Sequence, residues 1–192
     1  MSALRLLPAD ALRTQAWANG AGTTTEIASG PDANWQWRLS IADITQACHF
    51  SAFTDTRRQF VALDAPVRLR FGDQRELSLL RLQVAAFEGA DAPYATLPEG
   101  STRAFNVMLR GAAQGELVAR PLHGSMWLPT RTSWRWFVHM LSGRAEVQVD
   151  NQRIDIADGA NLWIDAQPGE RVRIDGGGEV VLAHLLANAA DT

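Results

Sequence analysis

The sequence predicts an all-β protein with two double-stranded β-barrel (jelly-roll) halves in one compact chain. Three observations carry this. Residues 35–42, 67–71, 145–149 and 172–174 alternate between apolar and polar or small side chains, the period-2 pattern of half-buried strands. Turn-forming clusters separate such runs: Ser29-Gly30-Pro31-Asp32, Phe71-Gly72-Asp73, Val149-Asp150-Asn151, Asp158-Gly159, Pro168-Gly169 and Gly176-Gly177-Gly178. Residues 63–74 also lie over residues 141–152 at a constant offset of 78, the distance from Leu63 to Leu141. Each copy reads as apolar strand, tight turn, alternating strand, turn, the hairpin unit of a double-stranded barrel.

Taken in order, residues 8–13 suit one helical turn. Asn19-Gly20-Ala21-Gly22 is a tight turn needing positive φ, and it feeds a strand over Thr23-Thr24-Thr25-Glu26-Ile27. The strand at residues 35–42 follows, and then the first repeated hairpin. Residues 111–133 hold Gly111, Gly115, Pro121, Gly124 and Pro129 and read as the connection between halves. The expected division is 1–110 for the first half and 111–192 for linker and second half, with strands open to exchange between them. The tail after Asn188 is expected to fray.

A chain of 192 residues with 46% hydrophobic content can bury a core. No apolar run approaches the ~20 residues that span a bilayer, and Pro8 and Asp10 come too early for a secretory segment. A cytoplasmic location is the expectation, with no membrane partner. Cys48 is the single cysteine, which excludes an internal disulfide and a cysteine-based zinc site. Net charge is −3 with the signs mixed, so the basic stripe of a nucleic-acid binder is missing. All 18 basic residues are arginine. Without lysine there is no Schiff-base chemistry and no Walker-type phosphate loop. A bound anion must be held by arginine, backbone N–H groups or neutral donors.

Several separated motifs occur in a fixed order. Trp17-Ala18-Asn19-Gly20-Ala21-Gly22-Thr23-Thr24-Thr25-Glu26-Ile27 is followed by Trp37-Arg38-Leu39-Ser40, Phe50-Ser51-Ala52-Phe53, Arg58 and Phe105-Asn106-Val107-Met108. The set resembles the HutD/Ves family of cupin-like proteins from about residue 15 to the C-terminus. The resemblance implies a bicupin-like fold with two cupin-like halves. It also implies a link to histidine utilisation and a pathway intermediate such as a formylated glutamate as ligand. Two positions depart from the family pattern. Thr54-Asp55 stand where most members carry a Pro-Gly turn, and Ala104 replaces the usual aspartate.

Candidate ligand-binding residues are Asn19, Thr24, Glu26, Arg38, Ser40, Arg58 and Asn106. Arg38 and Ser40 share the strand face opposite Trp37, Leu39 and Ile41. If that face lines a barrel, Arg38 needs a partner and Glu26 is the natural one. The arrangement is then either a polar pocket gripping a second carboxylate or an internal salt bridge without ligand. Asn19, Thr24 and Glu26 belong to a turn and strand that could equally be structural. Arg58 is at the pocket rim or caps a sheet edge. The Asn106 amide can donate and accept.

No metal and no cofactor are expected. His49, His123, His139 and His184 lack the close spacing of a cupin metal site. His139 and His184, with Glu146, are the set a barrel would have to bring together, and core positions are their plainer reading. No catalytic residue is assigned: there is no nucleophile elbow, and Cys48 and His49 point to opposite faces of a strand. The functional expectation is a non-enzymatic binding protein for a small polar or anionic metabolite. Its rivals are a metal-independent isomerase or hydrolase on the same fold, and a structural or interaction module. Barrels of this kind often form a homodimer through edge strands, which the sequence leaves open.

Overall fold

In the computed structural model, residues 3–73 and 75–186 are described. The expectation for the tail after Asn188 lies outside them. Among the described residues sixteen strands form three antiparallel sheets. In chain order they are β1 (Leu4–Leu7), β2 (Arg13–Ala16), β3 (Gly22–Gly30), β4 (Trp37–Ile44), β5 (Cys48–His49), β6 (Thr56–Ala62), β7 (Val67–Phe71), β8 (Arg75–Leu79), β9 (Val84–Glu88), β10 (Tyr94–Thr96), β11 (Thr102–Arg110), β12 (Gly115–Leu128), β13 (Trp134–Val149), β14 (Gln152–Ala157), β15 (Asn161–Ile164) and β16 (Val172–Leu186). The helical turn is a single 3₁₀ turn at Ala9–Ala11, and a second lies at Gly89–Asp91. The chain is all-β and bicupin-like.

Two units divide the chain: residues 12–113, and residues 1–11 with 114–192. The first eleven residues go with the C-terminal unit because β1 pairs with β15, Leu4 opposite Ile164. The 1–110 and 111–192 division did not place them there.

In the unit of residues 12–113, one sheet runs β2-β3-β4-β11-β6-β9 and the other β5-β10-β7-β8. Phe60, Val67, Leu69, Phe71, Phe87 and Ala95 belong to its buried core. Burying each large side chain contributes about 1.5–3 kcal/mol. The core leaves one end of the β3-β4-β11-β6 face to polar side chains.

In the other unit the sheet runs β1-β15-β13-β16-β12, with β14 also on β13. Each repeated segment supplies one strand and the following turn of an antiparallel hairpin, β7–β8 in one case and the end of β13 with β14 in the other. Two expectations fail here. Residues 115–128 are not connection but the 14-residue strand β12, paired with β16 throughout. Pro121 misled because it lacks an N–H, yet β12 is an edge strand, where one missing donor is tolerated. Gly176-Gly177-Gly178 is not a turn either and lies inside β16. Its glycines are needed for close backbone approach: a Cβ on Gly176 or Gly178 would overlap backbone oxygens of β13, those of Arg144 and Ser142.

Candidate functional site

The site begins with register. Across three neighbouring strands, Arg38 on β4 faces Met108 on β11, which faces Arg58 on β6. One pair further along, Glu26, Ser40, Asn106 and Phe60 form a row over β3, β4, β11 and β6. Residues directly opposite in antiparallel strands share a face, so these side chains project to one side of the sheet. A bulge at Ile27 shifts the register between Glu26 and Ala28. The extra residue returns Ser29 to the face of Glu26, and the Ser29 hydroxyl donates to Glu26 Oε1 at 3.0 Å.

This face opens on a cavity of about 450 Å³. Asn19, Thr24, Arg38, Ser40, Arg58 and Asn106 line it. Glu26 does not line it but stands behind Arg38, its Oε2 accepting from Arg38 Nε at 2.7 Å. Arg38 is therefore salt-bridged and also faces the cavity. Its terminal nitrogens carry no further bond among the described residues.

Arg58 is 8% exposed and lies in the middle of the sheet, not at an edge. Its Nε donates to Asn106 Oδ1 at 2.8 Å, and its guanidinium carbon stands 4.6 Å from the Phe50 ring centroid, 5.5 Å from that of Phe87 and 5.7 Å from that of Phe60. Among the described residues no carboxylate pairs with it. Burial, and then the positive charge of Arg38, push its pKa down to about 10, so it is still a cation at neutral pH. A buried cation without a counter-ion is costly, and the rings offset only part of that cost.

The other candidates divide by what they already bond. Asn106 is committed at both ends, accepting from Arg58 and donating to the Ala104 carbonyl at 3.3 Å, so it orients Arg58. Asn19 Oδ1 accepts from the Ala21 N–H at 3.0 Å and closes the turn, where Gly20 has φ 68°. The Trp17 indole donates to Thr24 Oγ1 at 2.7 Å, leaving the Thr24 proton free to turn to a ligand. The Ser40 hydroxyl is 97% buried by residue and makes no hydrogen bond among the described residues. Ala104 lies fully buried between Ala42 and Ala62, so across β4, β11 and β6 this row of the sheet carries only methyl groups.

Sequence reasoning missed the aromatic wall. Trp17 and Phe50 meet edge to face at 6.5 Å and line the cavity with Phe53 and His49. Phe50 and Phe53 stood in the quoted motif, but nothing in their spacing says that they flank Arg58. The turn before β6 places Asp55 at φ 53°, the left-handed conformation that the usual glycine would supply. Cys48 and His49 do face apart: the thiol is buried, which raises its pKa, and the imidazole is exposed.

Among the described residues no cluster of three His, Cys, Asp or Glu side chains is placed to hold a metal. His139 and His184 do not converge. His184 faces Trp136 across β13 and β16, whereas His139 faces Val181, an odd number of residues away and so on the other side of the sheet. His184 is stacked on the Trp136 ring at 4.0 Å and 6°. Burial, and then Arg131, push its pKa down to about 4. The unfolded chain then binds more protons between pH 6.5 and 4, so stability falls as pH drops through that window and is flat below it. Comparing His184→Leu with the parent by urea unfolding at pH 7 and pH 4.5 should show the parent losing on the order of 2 kcal/mol more.

Fold and site together define a bicupin-like protein with an arginine-lined cavity in one barrel unit. The chain belongs to the HutD family, whose model matches residues 9–182. An uncharacterized 21.2 kDa protein in the hutC 3′ region of Pseudomonas putida is 37% identical over 112 residues, 56% of this chain and 59% of that protein. Protein Ves of Escherichia fergusonii is 37% identical over 98 residues, 49% of this chain and 51% of Ves. The chain thus spans little more than half the length of these curated relatives. A conserved protein of unknown function from Pseudomonas aeruginosa PAO1 superposes with a TM-score of 0.82 at 27% identity, covering 95% of this chain and 97% of that one. HutD from Pseudomonas fluorescens SBW25 superposes at 0.78 with 24% identity, covering 97% and 100%. The family link to histidine utilisation is by name. No helix among the described residues is long and apolar enough to cross a membrane.

Proposed function

We propose that the protein is a non-enzymatic binding protein for a small carboxylate of the formylated-glutamate kind, acting in the regulation of histidine catabolism. One observation carries the reading: Arg58 is a buried cation with no carboxylate partner among the described residues, and it faces a cavity. An incoming carboxylate supplies the missing counter-charge and meets the two terminal nitrogens as a fork. The cavity volume, about 450 Å³, suits a small metabolite. Among the described residues no Asp or Glu lines it beside His49, which favours binding over the paired acid–base chemistry of an isomerase or hydrolase.

Thermal-shift screening of the full chain against a panel of small carboxylates, N-formylglutamate included, tests this. Stabilisation without turnover is the expected result, weakened in Arg38→Ala and lost in Arg58→Ala. A confirmed ligand whose binding neither substitution changes would remove the site, and turnover of that ligand would move the protein to the enzymes.

A further inference from the structure

We infer that Glu26 sets the ligand class by making the two arginines unlike, so that the site takes a carboxylate at Arg58 and a neutral carbonyl or amide oxygen at Arg38. The inference rests on the carboxylate-binding reading above and deepens it: of the two carboxylates of a formylated glutamate only one engages an arginine, and the formyl oxygen, not the second carboxylate, meets Arg38.

Both guanidiniums are held the same way. A side chain from a neighbouring strand accepts from Nε, at 2.7 Å from Glu26 for Arg38 and 2.8 Å from Asn106 for Arg58. In each, the terminal nitrogens are left without a bond among the described residues. The holders differ in charge. Asn106 is neutral, so Arg58 keeps its whole positive charge. Glu26 is an acid, with Ser29 donating to its other oxygen, so the charge of Arg38 already has a counter-charge. Two arginines and one glutamate leave the site with a net charge of one positive unit, 2 − 1. One carboxylate at Arg58 balances it. A second carboxylate at the Arg38 end would sit against Glu26, in a site whose positive charge is already matched. A neutral oxygen there still accepts from the free Arg38 N–H groups and from the Ser40 hydroxyl.

The spacing fixes the reach. Arg38 and Arg58 are two strands apart in one register row, so their Cα atoms are about 10 Å apart. Their side chains lean into the cavity from either side of Met108. Chains of four and five carbons with an oxygen group at each end are the probes matched to this spacing.

Matched pairs of probes isolate the charge at one end: glutarate against glutaramate, and succinate against succinamate. Isothermal titration at pH 7.5 with the full chain should give at least ten-fold tighter binding of the monoamide. Glu26→Gln keeps the shape and an acceptor for Arg38 but removes the charge. It should bring the ratio to one or reverse it, mainly by tightening the dicarboxylate. A thermal melt of the variant confirms that it is folded. Glu26→Asp, which keeps the charge, should retain the monoamide preference. Equal affinities for both members of each pair in the parent, or an unchanged ratio in Glu26→Gln, would overturn the inference while leaving carboxylate binding intact. Failure of every probe to bind the parent and Glu26→Gln alike would overturn the carboxylate-binding reading, and this inference with it.

Discussion

Replacing Arg58 by methionine should abolish carboxylate binding and make the protein more stable. The two effects share one cause. Among the described residues Arg58 is buried with no carboxylate beside it, and burial, then the charge of Arg38, penalises its cation and lowers its pKa to about 10. Three phenylalanine rings and one hydrogen bond to Asn106 offset the lost hydration without cancelling it. Methionine has a comparable length, no charge, and a sulfur that packs well against aromatic rings. Replacing a buried charge by a well-packed apolar side chain is often stabilising by about 1–4 kcal/mol. The lower end is expected here, because Asn106 Oδ1 loses its donor and must turn to water in the cavity. Binding loses a charge-assisted fork of about 3 kcal/mol, on the order of a hundred-fold in Kd. Calorimetric melting and titration with the carboxylate that the screen identifies read both. A variant with parental affinity removes Arg58 from the site; a variant less stable by several kcal/mol would mean that the rings hold the cation better than its pKa says.

The pH dependence carries the same sign. Below about pH 10 Arg58 is protonated in both folded and unfolded chains, and its burial is a constant penalty. Above about pH 10 the folded state releases its proton first, the unfolded state binds more protons, and stability rises with pH relative to a chain lacking the group. The advantage of Arg58→Met over the parent should therefore shrink between pH 9 and pH 11. Ligand affinity of the parent should fall over the same range as the anchor loses its charge.

What the sequence disclosed follows from how β-structure is encoded. Period 2 on Arg38-Leu39-Ser40 tells which residues share a face, and the face is the one that borders the cavity. The repeat disclosed the two hairpins, since turns and alternation are local. The Glu26–Arg38 pair was foreseeable because the intervening turn makes β3 and β4 neighbours. The partnership of Asn106 with Arg58 was not: it depends on β11 lying between β4 and β6, 48 residues away in the chain. The same blindness hid the aromatic wall. At residues 115–128 the error was of another kind. Glycine and proline were read as breakers, whereas an edge strand accepts the proline. The glycines of β16 are demanded by a neighbouring backbone, and no local pattern marks a close approach.

Gly178→Ala should be among the most damaging single methyl additions in the unit of residues 1–11 and 114–192, with Gly143→Ala beside it. Gly178 sits in β16 at φ 126°, a conformation that L side chains rarely adopt. Its partner across the sheet is Gly143, itself at φ 88°, next to the register shift between Met140 and Ser142. A Cβ on Gly178 would overlap the Ser142 carbonyl oxygen and press on the Gly143 Cα at 2.9 Å. These are backbone atoms of β13, paired there with Glu179 and Gly178 of β16, so neither can retreat without breaking ladder hydrogen bonds to β16. Strain at φ of about 1–3 kcal/mol adds to the steric term, and the expected loss is on the order of 4 kcal/mol, a large part of the roughly 5–15 kcal/mol that holds an ordinary domain folded. Gly177→Ala is the control. Its added methyl meets nothing closer than the Leu122 carbonyl oxygen at 4.0 Å, and its φ is not in the left-handed range. It should cost no more than about 1 kcal/mol, and alanine can even gain a little by restricting the unfolded chain. Urea unfolding of the two variants beside the parent decides the matter: equal midpoints for Gly177→Ala and Gly178→Ala would mean that the strands part easily there, and that the three glycines are composition rather than architecture.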